Sequence, residues 1–168
     1  SVIPITLRYN TGPRLKNGVS SIMTKSTVKF KRPSGRQPVI VQILPALVSG
    51  GVERGTVEMA KAIQNAGGHA VVISNGGPLV RHIERCGGKH IALPVHVKNP
   101  LRWPGLRRQL RTIFQTEGAD VVHVRSRVPA WLALSLAKSM GIATISTVHS
   151  RFTSRSFLKR RYNAKLLD

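Results

Sequence analysis

The chain has 168 residues, 27 Lys plus Arg against 6 Asp plus Glu, and a formal net charge of +21. With 41% hydrophobic residues it has enough apolar material for one α/β domain with tails, which excludes global disorder. No apolar run approaches the roughly 18–20 residues of a membrane span, no basic and apolar leader opens the chain, and Cys86 alone excludes an intrachain disulfide framework.

Residues 1–38 carry Arg8, Arg14, Lys16, Lys25, Lys29, Lys31, Arg32 and Arg36, no acidic residue and four prolines, and they read as an unstructured basic tail. Ser1 rather than Met opens the chain, and Met23 precedes a short polar lead-in. Residues 1–22 therefore read either as native or as upstream sequence.

Regular punctuation then begins. Val39–Leu44 is a β-branched run ending at Pro45, and after Gly50-Gly51 the spacing of Val52, Val57, Ala60 and Ile63 predicts a helix that stops at Gly67-Gly68. His69–Ser74 predicts a second strand, Leu79–Cys86 a short helix, and Lys89–Leu93 a third strand before Pro94. Leu101–Glu117 reads as an amphipathic helix with Leu106, Leu110, Ile113 and Phe114 on one face. Ala119–Val124, Ala130–Met140 and Ala143–Val148 complete a strand, helix, strand series. Five strands alternating with helices predict a Rossmann-like, doubly wound, mostly parallel sheet over residues 39–150. Residues 151–168 follow as a basic segment: Arg151, Arg155, Lys159, Arg160, Arg161 and Lys165 against Asp168 alone.

In such a sheet ligands meet the loops at the carboxyl ends of the strands. The loop Leu47–Arg54 holds the paired Gly50 and Gly51 before a helix start, where backbone N–H groups can receive a phosphate or sugar oxygen. It has neither a Walker A Gly-Lys-Ser/Thr nor a Gly-x-Gly-x-x-Gly fingerprint. The loop Arg125-Ser126-Arg127 offers guanidinium groups for an anionic ligand, or two solvated arginines. Six histidines occur without His-x-x-x-His or His-Glu-x-x-His spacing, so no metal site is expected, and His123 on a strand reads as a core histidine. Gly-x-Ser-x-Gly is absent, which removes a serine hydrolase of that type.

Gly50-Gly51-Val52-Glu53-Arg54 after a strand ending in Pro, Gly68-His69 leading into the second strand, Asp120-Val121-Val122-His123, and Ser146-Thr147-Val148-His149 resemble, in that order, the N-terminal domain of family 4 glycosyltransferases of the GT-B fold. The likeness spans about residues 39–163 and is nearest to bacterial lipopolysaccharide or surface-polysaccharide enzymes. It implies a retaining transfer of a sugar from a nucleotide-sugar donor to a glycan or lipid-linked acceptor, with no metal and no cofactor. It places Gly50, Gly51, Val52 and Glu53 at the donor phosphates and the acceptor, His149 facing the transferred sugar, and Arg125, Ser126 and Arg127 on the acceptor side. Ser150 departs from the Gly or Asp that often follows that histidine. The resemblance also implies a second, C-terminal Rossmann-like domain carrying most of the donor site. The chain therefore reads as the front half of an enzyme, truncated after residue 168 and inactive alone. Its basic surface fits a cytoplasmic protein held peripherally on an anionic membrane. The competing reading is a basic noncatalytic accessory or RNA-binding, ribosome-associated protein that reuses the fold.

Overall fold

The computed structural model describes residues 2–10, 23–31 and 35–147. The chain divides into two compact units, residues 1–36 and 37–168.

In the first unit β1 (Val2–Asn10) and β2 (Met23–Lys31) pair antiparallel, with Val2 opposite Lys31 and Asn10 opposite Met23. Here the structure differs from the unstructured tail that charge and proline content suggest. The reason lies in residue type: Val2, Ile3, Ile5, Thr6, Leu7 and Tyr9 are strand formers, and Lys25, Thr27, Lys29 and Lys31 alternate with Thr24, Ser26, Val28 and Phe30 at strand period. Net charge masks such a pattern because it averages over both positions of the alternation.

The second unit is a five-stranded sheet of β3 (Val39–Ile43), β4 (His69–Ser74), β5 (Lys89–Ala92), β6 (Val121–Val124) and β7 (Ala143–Ser146). Its order is β5-β4-β3-β6-β7 and every pairing is parallel. The helices α1 (Gly51–Asn65), α2 (Val80–Arg85), α3 (Trp103–Glu117) and α4 (Arg127–Ser139) fill the crossovers. A parallel sheet buries both faces, so its strands need apolar residues at successive positions. Along β4, Ala70 and Val72 enter one cluster with Leu44, Leu47, Ala60 and Ile83, beneath α1 and α2. Val71 and Ile73 enter the other, with Leu106, Leu110 and Phe114 of α3 and Leu132 and Leu136 of α4.

Two boundaries move from their expected places. Residues Pro100–Arg102 form a 3-10 turn, so α3 starts at Trp103 and has Pro104 in its first turn, where no N–H is missed. Helix α4 begins at Arg127, earlier than Ala130, and takes Pro129 into its first turn for the same reason.

At the amino ends of the strands the backbone is tied tightly. Val39 N–H donates to Asp120 Oδ2 at 2.8 Å, Asp120 N–H to Val39 O at 2.9 Å, and His69 N–H to Pro38 O at 2.8 Å. Asp120 is thus a strand-pairing residue on the edge of the sheet away from the strand-to-helix loops.

Candidate active site at the carboxyl edge of the sheet

The strand order reverses between β3 and β6, and the crevice outside their carboxyl ends is where an open α/β sheet binds its ligand. The loop after β3 and the residues after β6 meet there.

The β3 loop is anchored before it reaches its glycines. Leu44 and Leu47 are fully buried, Leu47 N–H donates to Gly76 O at 2.8 Å, Asn75 N–H to Pro45 O at 3.0 Å, and Leu79 N–H to Leu47 O at 3.0 Å. The loop after β4 is therefore its bracket. Gly77 makes the contact possible: its φ is +140°, and a Cβ there would lie on the Leu47 carbonyl.

Beyond the anchor the chain is open. Val48 is 52% exposed, and Ser49, Gly50 and Gly51 are exposed. Gly50 is the N-cap of α1, with no side-chain cap, and the first helical bond runs from Arg54 N–H to Gly50 O at 3.0 Å. The N–H groups of Gly51, Val52 and Glu53 precede that bond, at the positive end of the helix. No atom outside the immediate chain lies within 4 Å of where a Gly51 Cβ would stand. The Glu53 carboxylate instead folds back over Gly50, so closely that its Oε2 would meet a Cβ there. It occupies the favourable place for a negative charge at this helix start, and a phosphate arriving there must displace it.

Arg125 spans the crevice. Its N–H bonds Ile43 O at 2.9 Å, and its guanidinium Nη1 donates to Val52 O at 3.2 Å and Thr56 Oγ1 at 2.9 Å. Thr56 Oγ1 in turn donates to Val52 O at 2.8 Å, and Gln42 Nε2 donates to Thr56 O at 3.2 Å. The side chain passes Gly55, whose Cβ would stand 3.5 Å from Nη1. Burial lowers the Arg125 pKa from its ordinary value, yet an arginine keeps its proton, so a cation sits behind the glycine loop. Arg125 therefore braces α1, and its fork is not turned wholly outward as an isolated basic loop would suggest. Ser126 is the N-cap of α4, accepting from Ala130 N–H at 3.0 Å through its carbonyl, and Arg127, half-buried, opens that helix. His149 lies outside the described residues.

Sequence reasoning passed over two polar features at this end of the sheet. Gln42 is fully buried and its Oε1 has no hydrogen-bond partner; a lone polar residue within the apolar run Val39–Leu44 was the available signal. Ser74 and His90 form the other: Ser74 Oγ accepts from Gly76 N–H at 3.0 Å and lies 2.9 Å from His90 Nε2, under the β4 loop. Burial pushes the His90 pKa down, partly opposed by Glu84, which suits a neutral imidazole. His123 is the core histidine its strand position suggests, 7% exposed with Nε2 2.7 Å from Thr147 Oγ1. Among the described residues no group of three His, Cys, Asp or Glu side chains is placed to hold a metal, and no helix is long and apolar enough to cross a membrane.

An open parallel sheet with an exposed glycine loop at its switch point defines a Rossmann-like ligand-binding domain. Residues 49–167, most of the chain, match the family model "Glycosyltransferase Family 4". The chain belongs to glycosyltransferase family 4, and its fold corresponds to the N-terminal domain of the GT-B architecture. It is similar to a glycosyltransferase from Rickettsia africae, at 35% identity and a TM-score of 0.67 over 78% of this chain and 35% of that one. Sucrose-phosphate synthase from Thermosynechococcus elongatus shares the fold at 14% identity and a TM-score of 0.57, over 78% of this chain and 40% of that one. The C-terminal domain of a hydrogenase from Pyrococcus furiosus shares it at 21% identity and a TM-score of 0.51, over 69% and 94%. The chain thus spans about a third of the length of the Rickettsia africae enzyme. No curated protein sequence matches it.

Proposed function

We propose that this domain is the acceptor-side half of a retaining glycosyltransferase that moves a sugar from a nucleotide-sugar to a hydroxyl of a glycan or lipid-linked acceptor in cell-surface polysaccharide or lipopolysaccharide synthesis. The observation that carries the reading is the open crest Val48–Gly51, set on a helix start at the switch point with the half-buried Arg125 behind it. In this reading the backbone at Gly50 and Gly51 approaches the donor phosphates, Val52 flanks them, and Glu53 swings aside as they enter. Arg125 holds the first turn of α1 in place and adds positive potential. Ser126 and Arg127 lie on the acceptor side, and His149 faces the transferred sugar. A second Rossmann-like domain closes the cleft and supplies most of the donor contacts; the protein works without metal or cofactor, on the anionic cytoplasmic face of a membrane.

The test is a chimaera in which residues 37–168 replace the corresponding segment of the Rickettsia africae glycosyltransferase. It is assayed with labelled nucleotide-sugars and a bacterial lipid extract beside the parent enzyme. Transfer by the chimaera, lowered about a hundredfold by His149→Ala, is the expected result. A folded chimaera that binds nucleotide-sugar and transfers nothing overturns the reading, and wild-type rates from His149→Ala remove that residue from the site.

A further inference from the structure

We propose that Ser74 and His90 are positioning residues for the glycine loop after β3: acting through Gly76, they fix the Leu47 backbone from which the open crest Val48–Gly51 springs. The proposal deepens the transferase reading and takes from it only that this crest receives a ligand.

The connection is a run of hydrogen bonds. His90 Nε2 lies 2.9 Å from Ser74 Oγ, Ser74 Oγ accepts from Gly76 N–H at 3.0 Å, Gly76 O accepts from Leu47 N–H at 2.8 Å, and Leu47 O accepts from Leu79 N–H at 3.0 Å. The sheet sets the first step. Ser74 ends β4, and His90 stands opposite Val72 in the β4–β5 register, so strand period puts both side chains on the face where Val72 meets Ile83 of α2. A cross-strand pair that only stitched β5 to β4 would end at Ser74. Here the hydroxyl closes a local turn over Ser74–Gly76, and the path leaves the sheet for the loop that brackets the site. That turn needs an outside hold: Gly76 and Gly77 have φ of +90° and +140°, and without a Cβ neither residue restricts its own backbone. Tying the Gly76 N–H therefore aims the next carbonyl at Leu47.

His90 gives the hydroxyl its direction. Ser74 is fully buried, and its Oγ has staggered alternatives among which a partner must choose. A neutral imidazole either donates to that oxygen or accepts from it, and in both cases a lone pair is left for the Gly76 N–H. An imidazolium only donates, so Ser74 would accept from both partners and send its own proton elsewhere in a buried site. The surroundings keep the ring neutral. Burial lowers the His90 pKa and the exposed Glu84 of α2 opposes it in part. The other charged groups of α2, Arg81 and Arg85, are exposed, and His82 is half-buried. On β5, Lys89 turns away to pair with Glu117 at 2.8 Å, and β4 brings Ser74 at this end and His69 at the other. Because β5 is an edge strand, His90 is half-buried and meets protons from solvent, while the glycine loop it steadies lies two strands away.

The experiment follows amide hydrogen exchange in the isotope-labelled full chain by NMR. Leu47 N–H reports the path, while Leu44 N–H, bonded to Ile73 O at 3.2 Å, and Arg125 N–H, bonded to Ile43 O at 2.9 Å, report the sheet around it. Ser74→Ala and His90→Ala are each expected to speed Leu47 exchange about tenfold relative to those two amides, the weight of one net hydrogen bond. His90→Gln, whose side-chain amide still reaches Ser74, should bring Leu47 back to within about threefold of the wild type. Acidification into the range where His90 gains its proton should loosen Leu47 against Leu44 in the wild type and leave that ratio unchanged in His90→Gln. Equal acceleration of all three amides would show that the pair supports the sheet in general and overturns the proposal. So does Leu47 exchange that neither alanine substitution alters. In the chimaera, His90→Ala should raise the KM for nucleotide-sugar about tenfold with kcat held within about threefold, and His90→Gln should restore it. Leu47 loosened with KM unmoved upholds the positioning and counts against the crest as the donor site, so the failure of either reading is recognised apart from the other.

Discussion

The two edges of the central sheet are built on opposite principles. At the amino edge, Val39 and Asp120 exchange hydrogen bonds through backbone and carboxylate, and Ala143 N–H reaches Asp120 O at 3.3 Å. At the carboxyl edge, Gly50 caps a helix with no side chain, Gly51 faces open space, and buried Gln42 keeps an oxygen without a hydrogen-bond partner. The amino edge closes its polar contacts on its own backbone, whereas the carboxyl edge combines the internal contacts of Arg125 with Val52 and Thr56 with an exposed, side-chain-free helix start. In the proposed function, stability and binding thereby fall to different ends of the same strands.

Substitutions at each edge should separate these roles. The largest effect is expected from Gly51→Val: in the chimaera it should lower transfer a hundredfold or more, because side-chain bulk enters the space a phosphate needs, while unfolding free energy moves by no more than about 0.5 kcal/mol. Unaltered transfer rates would remove the loop from the site. Arg125→Ala should blur the separation, since it takes the brace from Val52 and Thr56. A loss of about 1–3 kcal/mol in denaturant unfolding is expected together with lower transfer. A fall in transfer without any change in stability would show that Arg125 acts on ligand and not on α1. Asp120→Ala leaves the part-buried Val39 N–H without its carboxylate acceptor and should cost about 1–2 kcal/mol. Nucleotide-sugar affinity of the chimaera should not change.

The smallest effect is a pH dependence from His90. Its folded-state pKa lies below the ordinary 6.5, so the unfolded chain binds more protons between the two values. Its contribution to stability is complete above about pH 6.5 and declines as pH falls from there through the lowered folded value. His90→Gln should flatten that part of a stability–pH profile, and an unchanged slope would show that burial does not control this imidazole.

Much of the sheet was legible because strand and helix periods alternate cleanly from Val39 to Ser146, with glycines between them. The glycine loop was legible for the same reason. The strand order was not, since it depends on which strands pair and not on any one segment. The Arg125 brace shared that obscurity: it needs β6 beside β3, which brings residues 69 positions apart into contact. Local sequence presented Arg125, Ser126 and Arg127 as one basic loop, whereas the fold sends the first across to α1 and the other two into the start of α4. Pro129 misled at the start of α4, because a first helical turn tolerates what its interior does not, whereas Pro104 lay inside the expected helix and only the 3-10 turn Pro100–Arg102 moved that boundary.

The bracket between the β3 and β4 loops has a thermodynamic consequence. Leu47 is fixed by two backbone hydrogen bonds on one side of the crest, and Thr56 is fixed by Arg125 and Gln42 on the other. Only the short span from Val48 to Gly50 is left to adjust before α1 begins at Gly51. Ordering one residue costs roughly 1–2 kcal/mol. A loop already pinned at both ends therefore spends little of a ligand's binding energy on its own immobilisation, and most of that energy remains for discriminating one ligand from another.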